Sequence, residues 1–200
     1  MVEATQTNED HIWIFCFGSN GPKQLSERLG SDYKDLMTRT LAAEAKGWLR
    51  GYKATAVTWG GKSVATIWKT GKDEDSVLGT VVKMTKAEVE ALDPYEAYPF
   101  KYDRIKLTLN AFKAESEGEA PKPFELECQA YAIIDKEKYN VFVDPSDEYK
   151  LACCKTIYTA RTLLGRGAER DIDLKVYNAV TKTIDNEFKY TITDKDVEKM

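Results

Sequence analysis

Histidine is almost missing from this chain: His11 is the only one in 200 residues. Zinc sites and the Ser/His/Asp or Cys/His nucleophile systems need more imidazole than that. Acid/base chemistry, if there is any, falls to a carboxylate, a lysine or a tyrosine. Cysteine is scarce too, with 4 residues, and Cys153 and Cys154 are adjacent, so they would bond to each other only with strain. With no CxxC pair and too few cysteines for a disulfide scaffold, reduced thiols are expected. Positive charge is not in excess: 29 Lys plus Arg face 33 Asp plus Glu, a net charge of -4. No basic stripe is present to neutralise phosphates, so nucleic acid is not an expected partner. No apolar run approaches the roughly 18 residues of a membrane span. The opening MVEATQTNEDH is polar and acidic, unlike a signal or transit peptide, so no membrane partner and a cytoplasmic location are expected. With 12 Gly, 6 Pro and 42% apolar residues, the disordered and collagenous classes are excluded.

What remains reads as one compact unit. Ile12 to Phe17 is an apolar run rich in β-branched and aromatic residues, as a buried strand requires, and it ends at Gly18-Ser19-Asn20-Gly21. Pro22 to Gly30 reads as a short helix: Pro suits the first position, Leu25 and Leu29 share a face, and Gly suits the position after the end. From Thr40 to Met84 the pattern favours strands broken by Gly60-Gly61 and by the polar residues 71–75, which predicts an antiparallel meander. Thr85 with Glu88 three residues on forms a capping box for a helix through Leu92 that stops at Pro94. Ile105 to Leu109 and Phe124 to Ile134 read as strands, Ser146 to Leu164 as a helix, and Leu174 to Ile184 as another helix. The expected fold is α+β: a single domain with a curved or barrel-like mixed sheet and helices packed at its ends. Residues 1–11 are expected as a flexible N-terminal arm, 12–184 as the domain and 185–200 as a charged, peripheral C-terminal tail.

Two segments could carry chemistry. The turn Phe17-Gly18-Ser19-Asn20-Gly21-Pro22 offers close backbone approach at Gly and unpaired N–H groups at a helix start, although such turns also occur for capping alone. The segment from Leu92 to Arg104 gathers four aromatics and two prolines around Glu96. A carboxyl desolvated among rings has its pKa raised toward the range where it both takes and gives a proton; the alternative is a solvated loop glutamate.

Together the segments resemble the γ-glutamylcyclotransferase family, which carries Tyr-Gly-Ser-Asn after its first strand and Leu-Asp-x-x-Glu after a helix. Here these stand as Phe17-Gly18-Ser19-Asn20 and Leu92-Asp93-Pro94-Tyr95-Glu96. Val77 to Met84 resembles the family's Val-x-Gly-x-Val strand, and Pro145-Ser146-Asp147-Glu148-Tyr149 its Pro-Ser-x-x-Tyr helix start. Four motifs in the family's order cover Ile12 to about Lys155; the segment beyond matches only loosely.

The resemblance implies cyclisation of a γ-glutamyl amino acid or peptide to 5-oxoproline with release of the amine, with Glu96 as acid/base residue and no cofactor or metal. It implies substrate contact by Ile14, Phe15, Cys16, Phe17, Gly18, Ser19 and Asn20, joined by Tyr149. Two alternatives stay open: a γ-glutamylamine- or glutathione-directed enzyme, and a non-catalytic small-ligand binder of the same fold. The implied partner is a small γ-glutamyl molecule, and a homodimer stays open. Phe17 replaces the family's usual Tyr and lacks its hydroxyl, and Ala97 stands where Gly is common. Arg104 is expected to be structural rather than a partner of Glu96. Lys23 and Arg28 are expected as solvated helix residues, Cys16 as a small core hydrophobe, and Cys153 and Cys154 as buried or half-buried on the late helix.

Overall fold

The computed structural model describes residues 11–114, 116 and 118–200. Most of the expected arm, residues 1–10, lies outside them; His11 does not belong to an arm but opens the first strand, β1 (His11–Cys16). Five strands close into a barrel in the order β1, β5 (Ser76–Thr85), β2 (Thr40–Lys46), β6 (Tyr102–Lys113) and β7 (Lys122–Ile133). A parallel contact of β1 with β7 at Ile14 and Gln129 joins the ring, and its other pairs are antiparallel. A second sheet has the order β4 (Lys62–Lys69), β3 (Trp48–Ala56), β8 (Asp171–Asn178), β9 (Thr183–Thr191). The barrel-like mixed sheet read from the sequence is therefore present as a closed barrel, with a separate sheet beside it.

Local chemistry explains most elements. α1 (Pro22–Leu29) starts on Pro and ends at Gly30, whose φ of 62° is the left-handed conformation that glycine adopts without penalty. After α2 (Tyr33–Thr38), Thr85 caps α3 (Lys86–Leu92) in a complete capping box with Glu88, and a 3₁₀ turn, Asp93–Glu96, follows directly. Ser146 caps α4 (Asp147–Leu163) by accepting from the Tyr149 N–H at 3.2 Å, and α4 packs across β2 and β5. The core joins Ile14, Phe15, Val81, Val82 and Met84 of the barrel to Val89 and Leu92 of α3. Gly79 permits β1 and β5 to approach so closely: a Cβ there would collide with the Cys16 carbonyl oxygen.

Three expectations are corrected. The strands of residues 40–84 are not one meander, because β2 and β5 belong to the barrel while β3 and β4 pair in the second sheet. The helix expected over 174–184 is instead the hairpin of β8 and β9: Ile172, Leu174 and Val176 are buried alternately, which is the period of a strand. Residues 185–191, expected in a charged tail, complete β9 and leave their charges exposed at a sheet edge, with Ile192 buried beyond them and α5 (Asp194–Val197) last. Among the described residues no helix is long and apolar enough to cross a membrane.

Candidate active site

β1 carries buried side chains to the barrel's end and then turns at residues 18–20 into α1. The turn is held from outside. Arg50 of β3 donates from Nε to the Phe17 carbonyl at 2.5 Å and from Nη2 to the Leu78 carbonyl at 2.8 Å. Because the trans peptide is planar, fixing the Phe17 carbonyl turns the Gly18 N–H the opposite way. The N–H groups of Gly18, Ser19 and Asn20 donate to no described residue. α1 begins without a side-chain cap, so Asn20 is available for another task.

That task is Glu96. Asn20 Nδ2 donates to Glu96 Oε1 at 2.9 Å, and Arg28 Nη1 donates to the same oxygen at 2.7 Å and to Asn20 Oδ1 at 2.6 Å. The carboxylate is thereby tied to the turn and to α1, with Glu96 only 8% exposed. The Tyr95 ring lies 5.4 Å from the guanidinium and covers this group. Glu96 stands at the end of the 3₁₀ turn, and the chain leaves through Ala97 in the left-handed conformation.

An adjoining wall comes from β3, β4 and α4. Tyr149, 3% exposed, accepts the Ala65 N–H at 2.8 Å, while Tyr102 donates to the Ala65 carbonyl at 3.2 Å. Trp59 meets the Tyr149 ring edge-on, 4.8 Å between centroids. Burial pushes the Tyr149 phenol well above its ordinary pKa, so it remains a neutral donor. A Cβ on Gly18 would stand 3.3 Å from the Tyr149 hydroxyl and 3.2 Å from Ala65 Cβ, which places the turn directly against this wall. The cavity that these residues enclose measures about 290 Å³, and residues 14–20, Glu96 and Tyr149 all line it. Among the described residues no three His, Cys, Asp or Glu side chains converge to hold a metal ion.

The sequence profile of the family described as gamma-glutamyl cyclotransferase, AIG2-like, matches residues 14–151. The chain belongs to this family. Comparison with curated proteins finds no match. Solved structures share the fold. An uncharacterized protein from Homo sapiens is 21% identical with a TM-score of 0.53, over 95% of this chain and 98% of the other. A gamma-glutamyl cyclotransferase is 18% identical with a TM-score of 0.52, over 94% and 97%. A yeast gamma-glutamyl cyclotransferase described as specific to glutathione is 13% identical with a TM-score of 0.52, over 80% and 96%.

For this gamma-glutamyl cyclotransferase family member, the neighbouring residues sort clearly. Arg28 is not a solvated helix residue: it lies three positions after the buried Leu25, on the helix face that looks toward Glu96. That spacing was available in the sequence. Lys23 is exposed on α1, as expected. Arg104 lies over the Tyr98 ring at 4.5 Å and 3.6 Å from Asp93, away from Glu96. Asp93 also accepts from the Tyr131 hydroxyl at 2.7 Å, and Asp103 is exposed, so neither replaces Glu96 in the cavity. Cys16 lines the cavity, but burial pushes its thiol far up, which keeps it un-ionised. Cys153 and Cys154 are fully buried. Arg50, Trp59 and Lys101 had no sequence signal, because each reaches the site through the packing of one sheet beside the other.

Proposed function

We propose that the cavity converts a γ-glutamyl amino acid or peptide to 5-oxoproline and the free amine. One observation carries this reading: a buried carboxylate, Glu96, is held by Asn20 and Arg28 at the edge of a turn whose three N–H groups have no acceptor among the described residues. Those donors suit a carbonyl oxygen that becomes negative during reaction.

The γ-carbonyl oxygen of the substrate lies on the N–H groups of residues 18–20, and the α-amine reaches Glu96. The amine nitrogen attacks the γ-carbon; as the new C–N bond forms, Glu96 takes the nitrogen's proton. Charge on the tetrahedral intermediate's oxygen is met by the turn. Glu96 then passes the proton to the γ-amide nitrogen, the C–N bond to that nitrogen breaks, and the ring is released. Atoms and protons balance without a co-reactant. Nucleophile and carbonyl belong to one molecule, so holding the substrate folded supplies much of the rate through effective molarity. Arg28 and Asn20 both bond Oε1, and Oε2 accepts from no described residue, which leaves it for the two substrate nitrogens. The neutral Tyr149 hydroxyl orients the substrate rather than moving its protons.

The test is a panel of γ-glutamyl-alanine, γ-glutamyl-ε-lysine and glutathione in chelator-containing buffer, with 5-oxoproline measured. Turnover of at least one supports the reading. Binding without turnover across the panel would identify a ligand-binding protein instead.

A further inference from the structure

We propose that Lys101 binds a carboxylate on the amine half of the substrate, so that γ-glutamyl groups attached to amino acids are preferred over those attached to uncharged amines. This rests on the reading of the cavity as a γ-glutamyl cyclisation site, and it concerns the part of the substrate that the turn and Glu96 leave unspecified.

Among the described residues the cavity has two cationic side chains, Arg28 and Lys101. Arg28 is engaged by Glu96 and Asn20. Lys101 is not comparably engaged. Its Nζ donates to the Thr55 carbonyl at 2.9 Å and stands 5.7 Å from the Tyr102 ring, and no described carboxylate lies within ion-pairing distance of it. An ammonium has three N–H donors, so two remain for a ligand. Burial draws the Lys101 pKa below its ordinary value, and Glu96 only in part offsets this. A half-desolvated cation without an acidic partner is a place where a ligand carboxylate gains a charge-assisted bond.

Position decides which carboxylate. Glu96 is tied to the turn by Asn20 and Arg28, whereas Lys101 is tied to Thr55 at the end of β3. Glu96 and Lys101 thus line one cavity from different anchors, the first bonded to the turn and α1 and the second to β3. With the glutamyl half held by the turn and Glu96, the amine half is left to the remaining lining, which includes residues 55–59 and Lys101. An amino acid's carboxylate is two bonds from the leaving nitrogen, whereas a simple alkylamine has none.

The experiment compares γ-glutamyl-alanine with γ-glutamyl-alaninamide, which differ only in that charge. Wild type should favour the acid by roughly 10-fold or more in kcat/KM, the scale of one charge-assisted hydrogen bond. Lys101→Gln, which still donates to Thr55, should bring the ratio within about 2-fold of unity, and Lys101→Arg should retain most of it. A preference unchanged in Lys101→Gln, an equal loss on both substrates, or no preference in wild type would overturn the assignment. Calorimetric Kd values for both dipeptides, measured in Glu96→Gln with and without Lys101→Gln, keep the two readings separate. If wild type turns over neither dipeptide nor any other member of the panel, the cyclisation reading fails while the Kd ratio still decides Lys101. If neither dipeptide binds, the Lys101 assignment is overturned.

Discussion

Ala97 holds φ 50° and ψ 39° immediately after Glu96, a conformation whose cost to a residue with a Cβ is roughly 1–2 kcal/mol. Its N–H is bonded back to the Pro94 carbonyl, and its own carbonyl accepts from Phe100 and Lys101, so the loop that presents Glu96 closes on a strained residue. Ala97→Gly relieves that strain but adds about 0.5–1 kcal/mol of chain entropy to the unfolded state. The balance predicts a gain of up to about 1.5 kcal/mol in urea unfolding; a loss of about 0.5–1 kcal/mol would show that the conformation carries no strain. At this scale the sequence disclosed Glu96 and the turn, because both lie in short motifs with their own local chemistry. It hid Arg50 and Lys101, whose partners are backbone carbonyls on other strands. Arg28 departs from the expected solvated helix residue: a charged side chain three residues from a buried leucine need not face water when a carboxylate lies there.

Elements with both ends written in the chain were read correctly, and α3 with its capping box is the clearest. The β8–β9 hairpin was not, because its charged, exposed strand resembles a solvated tail and its inward residues also fit a loose helical spacing. No periodicity indicates that β8 will pair in parallel with β3 at Tyr52 and Asn178; that is a property of the packed sheets. The helix α4 links its own start to the site, since the residue whose N–H Ser146 caps is Tyr149. Ser146→Ala should cost about 1 kcal/mol of stability and fray the turn that holds Tyr149. With Tyr149 in the substrate-orienting role proposed for it, KM should rise several-fold while kcat stays within about 2-fold. A fall in kcat with KM unchanged would instead place Tyr149 in proton transfer.

At the scale of the molecule, acid stability should follow two carboxylates that bind the periphery to the core. Arg39 hydrogen bonds hold the Glu88 pKa below its ordinary value and join the end of α2 to the start of α3. Burial opposes the charge of Asp196, but bonds from Thr193, Tyr190 and Lys155 outweigh it and leave its pKa depressed. For a depressed carboxylate the stabilisation is complete above the unfolded value and is lost as pH falls toward the folded one. Unfolding free energy should thus be level above about pH 5 and decline below about pH 4, and Arg39→Gln should reduce the Glu88 part of that slope. A wild-type profile indifferent to pH in that range would contradict the two assignments. The barrel, the second sheet and α4 together place one buried carboxylate beside three N–H donors that no described residue accepts from, and on that juxtaposition the functional account stands. The most direct measurement is kcat for 5-oxoproline release from γ-glutamyl-alanine by wild type and by Glu96→Gln, with folding of both checked by circular dichroism at the assay temperature. The amide preserves shape and still accepts from Asn20 and Arg28, but it takes no proton at neutral pH. The account predicts a loss of about 10²–10⁴-fold with substrate binding retained; a folded Glu96→Gln protein that keeps a tenth or more of wild-type kcat, about 1.4 kcal/mol of barrier at most, would contradict it.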